Sequence, residues 1–164
     1  MTFDFLYGHA KRRTPDRADV LEATWQAAML AVRARKEAEG RRLFAGGKSM
    51  GGRIATQVAA GGGLGEIGGL VLLGYPLHPP GRPDRLRVAH LPKVPVPMLF
   101  VQGSRDAFGT PAELSPFVES LPAGGRLFVV EGGDHSLIPP KRGGESLPAV
   151  MGRVAEEVAG FCAS

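Results

Sequence analysis

The chain has 164 residues, 43% hydrophobic and 22% charged, which is the size and composition of one soluble globular domain spanning 1–164. Its 20 Lys+Arg against 16 Asp+Glu give a net charge of +4, but the basic residues are scattered and not interleaved with aromatics, which argues against a nucleic-acid partner. No apolar run reaches the roughly 18 residues of a membrane span, residues 1–6 lack a secretory leader's pattern, and the lone Cys162 excludes a disulfide framework, so a cytoplasmic protein with no membrane partner is expected.

Thr2 to Leu6 (TFDFL) reads as a short strand and Tyr7 to Arg17 as a polar loop. Asp16 or Asp19 is placed to cap a helix over about Ala18 to Ala38, with Val20, Leu21, Ala23, Trp25, Ala28 and Leu30 to Val32 on its apolar side and Gly40 as its stop. Arg42 to Ala45 (RLFA) predicts a strand, and a helix follows over Arg53 to Ala60, ending in Gly61-Gly62-Gly63. Ile67 to Leu73 and Pro97 to Val101 are apolar runs of the kind found in strands covered on both faces. Between them, Tyr75 to Pro97 is Pro-rich and irregular, the one insertion large enough to shape a pocket or lid. Pro111 to Leu121 predicts a helix, Leu127 to Val130 a strand, Glu131 to Gly144 a loop, and Leu147 to Phe161 an amphipathic closing helix. The 24 Gly and 14 Pro cluster at the ends of these runs, where tight turns belong. Such alternation specifies an α/β fold, a three-layer sandwich around a mainly parallel sheet. In sheets of this kind reactive groups are expected just after the carboxyl ends of strands.

Three side chains meet that condition: Ser49 after RLFA, Asp106 after PMLFV and His135 after LFVV. Gly47-Lys48-Ser49-Met50-Gly51 matches G-x-S-x-G, a strained strand-to-helix turn in which the residues two before and two after the serine must be small. The helix behind Ser49 points amide N–H groups at a developing oxyanion, which makes Met50 N–H the candidate donor. Serine, acid and histidine come in the chain order of a nucleophile, an orienting carboxylate and a general base. Asp134, adjacent to His135, is the rival acid, but an immediate neighbour rarely turns back onto the same imidazole. Lys48, Tyr75 and His78 are the candidate substrate-binding residues. His9 and His90 complete the histidines; their spacing supports no metal site, and no cofactor motif is carried. Gly46-Gly47-Lys48-Ser49 is not a phosphate-binding loop, because Arg42 stands where that motif needs glycine. Gly63-Leu64-Gly65-Glu66-Ile67-Gly68 fits a dinucleotide fingerprint only literally, since it precedes a strand.

On these residues the chain resembles the α/β-hydrolases, specifically a bacterial dienelactone-hydrolase-like branch similar to the hydrolase-like domain in a subunit of the eukaryotic NSL acetyltransferase complex. The matching stretches are residues 2–17, 43–56 (LFAGGKSMGGRIAT), 69–91, 97–110 (PMLFVQGSRDAFGT) and 129–137 (VVEGGDHSL). The resemblance implies Ser49 as nucleophile, Asp106 as acid and His135 as base. Dienelactone hydrolases proper use a cysteine nucleophile, so the serine speaks against that substrate. The resemblance also implies strands ahead of TFDF, one of them followed by a glycine-rich loop that supplies a second oxyanion N–H. The fold expected is therefore a truncated α/β-hydrolase. Three readings are open: a fragment or late start, TFDF sliding into the vacant slot with Tyr7-Gly8-His9 near the oxyanion, or a second chain supplying the edge, as in a homodimer. The expected function is hydrolysis of a small ester, thioester or related acyl bond through an acyl-enzyme, with a small-molecule acyl substrate as the partner. The alternative is a hydrolase-fold binding or scaffold domain with weak or no catalysis.

Overall fold

The computed structural model describes residues 1–140, 142 and 144–164. Its framework is a four-stranded parallel sheet in the order β1 (Phe44–Lys48), β2 (Gly69–Leu73), β3 (Met98–Gly103), β4 (Gly125–Val130). The register sets Gly46 opposite Val71, Val71 opposite Leu99, and Leu99 opposite Arg126. All connections are crossovers, as parallel neighbours require. The helices are α1 (Leu6–His9), α2 (Ala18–Arg33), α3 (Met50–Ala60), α4 (Pro111–Glu119) and α5 (Leu147–Ala163).

Strand alternation divides the core into two layers. Leu70, Leu72, Met98 and Phe100 point to one face, where they pack with residues of α2, α3 and α4. Leu99, Val101 and Val130 point to the other, against Val150, Val154 and Phe161 of α5. Every residue of β3 is buried, so the middle of the sheet is covered on both sides. This is the expected three-layer α/β sandwich.

Several expectations are corrected. Residues 1–5 form no strand; Phe3 and Phe5 pack against the α2 side, with Phe3 edge-on to Trp25 at 4.8 Å, and α1 begins at Leu6, the end of the expected strand, and runs into the expected polar loop. The reading in which TFDF slides in beside the serine strand is therefore not the arrangement adopted, and β1 is an edge strand. Neither aspartate caps α2: Arg17 holds the N-cap position without a side-chain cap, while Asp16 accepts from Tyr7 N at 2.9 Å. That helix ends at Arg33, and a separate 3₁₀ turn covers Lys36–Ala38 before Gly40 adopts φ 67°. The helix expected from Arg53 starts three residues earlier, directly after Ser49. By contrast, Thr110 and Glu113 form a reciprocal capping box on α4, and Ser146 caps α5. Within the expected loop 131–144, Lys141 and Gly143 lie outside the described residues. No helix among the described residues is long and apolar enough to cross a membrane.

Candidate active site

Ser49 forms the junction between β1 and α3, with φ 52° and ψ −121°. A non-glycine residue held there costs about 1–3 kcal/mol, sustained only where the surroundings over-determine the turn. The crossing of strand end and helix start supplies that constraint. A Cβ on Gly47 would lie 2.6 Å from Gly51 C and Gly52 N, and a Cβ on Gly52 would lie 2.6 Å from Gly47 O. Gly51 faces open space. The second sterically required glycine is thus at 52, not at 51 as the motif alone implies. Gly52→Ala is expected to destabilise by about 1–3 kcal/mol, whereas Gly51→Ala should be neutral or stabilising by up to about 1 kcal/mol. Urea unfolding of the two variants checks the contrast.

His135 approaches from the loop after β4 and places Nε2 2.7 Å from Ser49 Oγ. Its Nδ1 lies 2.8 Å from Asp106 Oδ2 and 3.0 Å from Oδ1. A carboxylate on that side holds the ring proton at Nδ1 and leaves Nε2 as an acceptor for the serine hydroxyl. The Asp106 side chain is fully buried and that of His135 about one-fifth exposed. Asp106 is also satisfied by Gln102 Nε2–H and by Phe108 N–H, each at 2.8 Å. Asp134 turns elsewhere: its Oδ1 accepts from Ser136 N and Ile138 N, and these backbone donors, Ile138 first, hold its carboxyl below the usual range. Met50 N–H, the first amide of α3, donates to no backbone or side-chain acceptor among the described residues. It is free for a ligand oxygen, at the positive end of the helix.

Four positioning residues were not singled out from the sequence. Gln102, fully buried, binds both Tyr75 backbone groups, Gly109 O and Asp106. Phe108 stacks on the imidazole, ring centroids 4.1 Å apart at 28°. A Cβ on Gly74 would lie 2.6 Å from His135 O, and one on Gly103 would collide with Gly133 O and Asp134 O. These two glycines therefore let the histidine loop sit directly on the strand ends. A lone glutamine inside the apolar PMLFVQG run was the available signal for Gln102.

The three candidate substrate-binding residues separate. Lys48 lines the cavity beside Ser49, and its Nζ donates to Ser136 Oγ at 2.9 Å, next to His135. Tyr75 is 1% exposed; its hydroxyl donates to Arg87 O and burial pushes its pKa up to about 12. His78 is also buried, with Nδ1 2.8 Å from Pro79 O and Nε2 unbonded, 3.5 Å from Glu113 Oε1. Neither Tyr75 nor His78 lines the cavity, because the Tyr75–Pro97 segment buries Leu77, Leu91 and Val94 in the core. The cavity lies on the other flank of Ser49. It has a volume of about 700 Å³ and is bounded by residues 1–5, Tyr7, α2 and the unpaired edge of β1, within the range of ligand pockets. A cavity of about 360 Å³ at the amino ends of the strands has Arg33 and Arg42 bound to main-chain carbonyls.

A parallel sheet with a serine at a strained strand-to-helix turn, met by a histidine and a buried carboxylate from later strand ends, is the architecture of an α/β hydrolase. The chain belongs to the alpha/beta hydrolase domain family, whose match covers residues 1–163. Among solved structures it is similar to an α/β serine hydrolase homologue from Coxiella burnetii (17% identity, TM-score 0.61, covering 92% of this chain and 61% of that one). It is also similar to a dienelactone hydrolase from Anabaena variabilis (20%, 0.63, 88% and 59%). A third is a dienelactone-hydrolase-like promiscuous phosphotriesterase from metagenomic libraries (16%, 0.65, 96% and 64%). At these identities the likeness shows the fold, and the chain spans about three fifths of the length of these relatives.

Proposed function

We propose that the protein is a serine hydrolase acting on an ester, thioester or related acyl bond. The observation that carries this reading is the unbroken relay from Ser49 Oγ through His135 to buried Asp106, 2.7 and 2.8 Å long, set on a strained turn. As Ser49 Oγ bonds to the carbonyl carbon, its proton passes to His135 Nε2, and Asp106 stabilises the resulting imidazolium. Met50 N–H donates a hydrogen bond to the developing oxyanion. The imidazolium then protonates the departing oxygen or sulfur, leaving an acyl-Ser49. A water deprotonated by His135 attacks this ester and restores the serine.

The test is labelling by a fluorophosphonate probe together with hydrolysis of short p-nitrophenyl esters. Modification at Ser49, lost in Ser49→Ala, is the expected result; a folded protein inert to both sinks the proposal. The unpaired edge of β1 favours one other reading, a hydrolase-fold binding domain. That reading requires no labelling, a specific partner, and a Ser49→Ala protein that binds it unchanged.

A further inference from the structure

We infer that Arg53, Arg87 and His90 form a binding site for a phosphate-type dianion where α3 meets the 75–97 segment between β2 and β3. Here α3 packs on β2 and on the 3₁₀ turn Leu91–Lys93, and none of the three residues lines the cavity at the edge of β1. The charge balance of this face is one-sided. Arg53 is the only charged residue of α3, and residues 75–97 carry Arg82, Arg85, Arg87 and Lys93 against Asp84 alone. The Asp84 carboxylate is taken by Arg82 at 3.2 Å.

Local bonds draw part of this charge inward. Arg87 N donates to Leu77 O at 2.8 Å, and the buried Tyr75 hydroxyl donates to Arg87 O at 2.7 Å. Thr56, fully buried on α3, spends its hydroxyl proton on Arg53 O at 2.7 Å. Its oxygen therefore accepts from His90 Nε2–H at 2.8 Å, which leaves Nδ1 as the free ring nitrogen. Arg53, Arg87 and His90 are all partly buried. Burial first, and then the charge of Arg87, hold the Arg53 guanidinium below its usual range; burial and the charge of Arg53 do the same to His90. Like charges withdrawn from water call for a counter-ion. Among the described residues no carboxylate pairs with Arg53 or Arg87. Arg53 gives one N–H to Gln57 Oε1 at 3.2 Å, and Arg87 is held only through its backbone. Two fixed positive charges take two negative ones, and guanidinium forks fit phosphate oxygens bidentately. A monocarboxylate would neutralise one arginine and leave the other.

The experiment follows urea unfolding near pH 8 at constant ionic strength, with inorganic phosphate replacing chloride. At a phosphate concentration about ten times Kd the folding equilibrium constant should rise about ten-fold. Arg53→Gln and Arg87→Gln should each weaken this binding by about ten-fold or more, through loss of a charge-assisted hydrogen bond. Arg85→Gln, outside the cluster, should keep it. Phosphate also stabilises proteins by exclusion from their surface, an effect common to all variants, so the difference between wild type and variants is decisive. In chloride alone both cluster variants should unfold at the wild-type urea concentration or higher, because each removes a like charge. Arginines with a merely structural role would lower it. An equal phosphate response in wild type and both variants overturns the inference, as does a larger response to malonate than to phosphate. If a variant fails to fold, calorimetric titration of the wild type with phosphate decides, and absence of saturable heat overturns the site. None of these readouts needs catalysis, so they stand apart from the labelling of Ser49. With p-nitrophenyl acetate as substrate, phosphate that raises KM assigns the anion to the substrate. Phosphate that binds and leaves KM unchanged assigns it to a separate ligand, and either outcome supports the site.

Discussion

Replacing Ser49 or His135 by alanine is expected to lower kcat for an activated ester by about 10⁴-fold, and replacing both should lower it little further. The non-additivity follows from the geometry. Nε2 of His135 makes its 2.7 Å contact with Ser49 and Nδ1 its 2.8 Å contact with Asp106, so each group works only through its neighbour. Asp106→Asn should cost a similar factor, since an amide facing Nδ1 favours the wrong tautomer. Ser49→Gly separates chemistry from folding. It removes the nucleophile and also the side chain that makes φ 52° costly, so stability should rise by about 1 kcal/mol while activity disappears. Initial rates with p-nitrophenyl acetate, together with urea midpoints for each variant, provide the measurement. Independent, multiplicative losses at Ser49 and His135 would mean that the two residues do not act as a unit.

The parts of the fold most legible in the sequence are those decided by local burial. Runs such as GLVLL and MLFVQG can be covered on both faces only inside a parallel sheet, and they became β2 and β3. The G-x-S-x-G turn, followed in order by an aspartate and a histidine at strand ends, was enough to bring Ser49, Asp106 and His135 to one rim. Non-local pairing was not legible. TFDFL alternates apolar and polar residues, and that pattern serves a half-buried strand or an extended segment whose Phe3 packs on Trp25 equally well. Glycines at 51 and 52 read as loop by propensity, yet the tight turn at Ser49 forces the helix to start at once. The pocket was misplaced for a related reason. Tyr75 to Pro97 is irregular in composition but carries enough apolar residues to be drawn into the core, so the cavity formed instead where β1 lacks a neighbour.

Gln102→Leu should be the most damaging substitution outside the triad, by about 3–5 kcal/mol, although leucine is close in size and suits a buried strand. The amide ties the Tyr75 and Gly109 segments to the acid from β3. Its Oε1 accepts Tyr75 N–H at 2.8 Å, while its Nε2 donates to Asp106 at 2.8 Å and Gly109 O at 2.7 Å, with Tyr75 O at 3.2 Å. Leucine would leave Tyr75 N–H and Gly109 C=O buried without these partners, at about 1–3 kcal/mol each, and would strip a donor from the Asp106 carboxylate. Against a total stability of about 5–15 kcal/mol that is a large fraction. Gln102→Glu tests the same contact by charge. It keeps an acceptor for Tyr75 N–H but sets a second carboxylate against Asp106, so the pair is expected to hold a proton and titrate above the ordinary carboxylate range in the folded state. A folded-state pKa raised above its unfolded value gives stability that is present at low pH and lost as pH rises through it. The Glu variant should therefore approach wild type near pH 4 and fall away towards neutrality. Denaturation midpoints across that range decide the matter: a Leu variant within about 1 kcal/mol of wild type, or a Glu variant with no such slope, would show that Asp106 is held in place by something other than this amide.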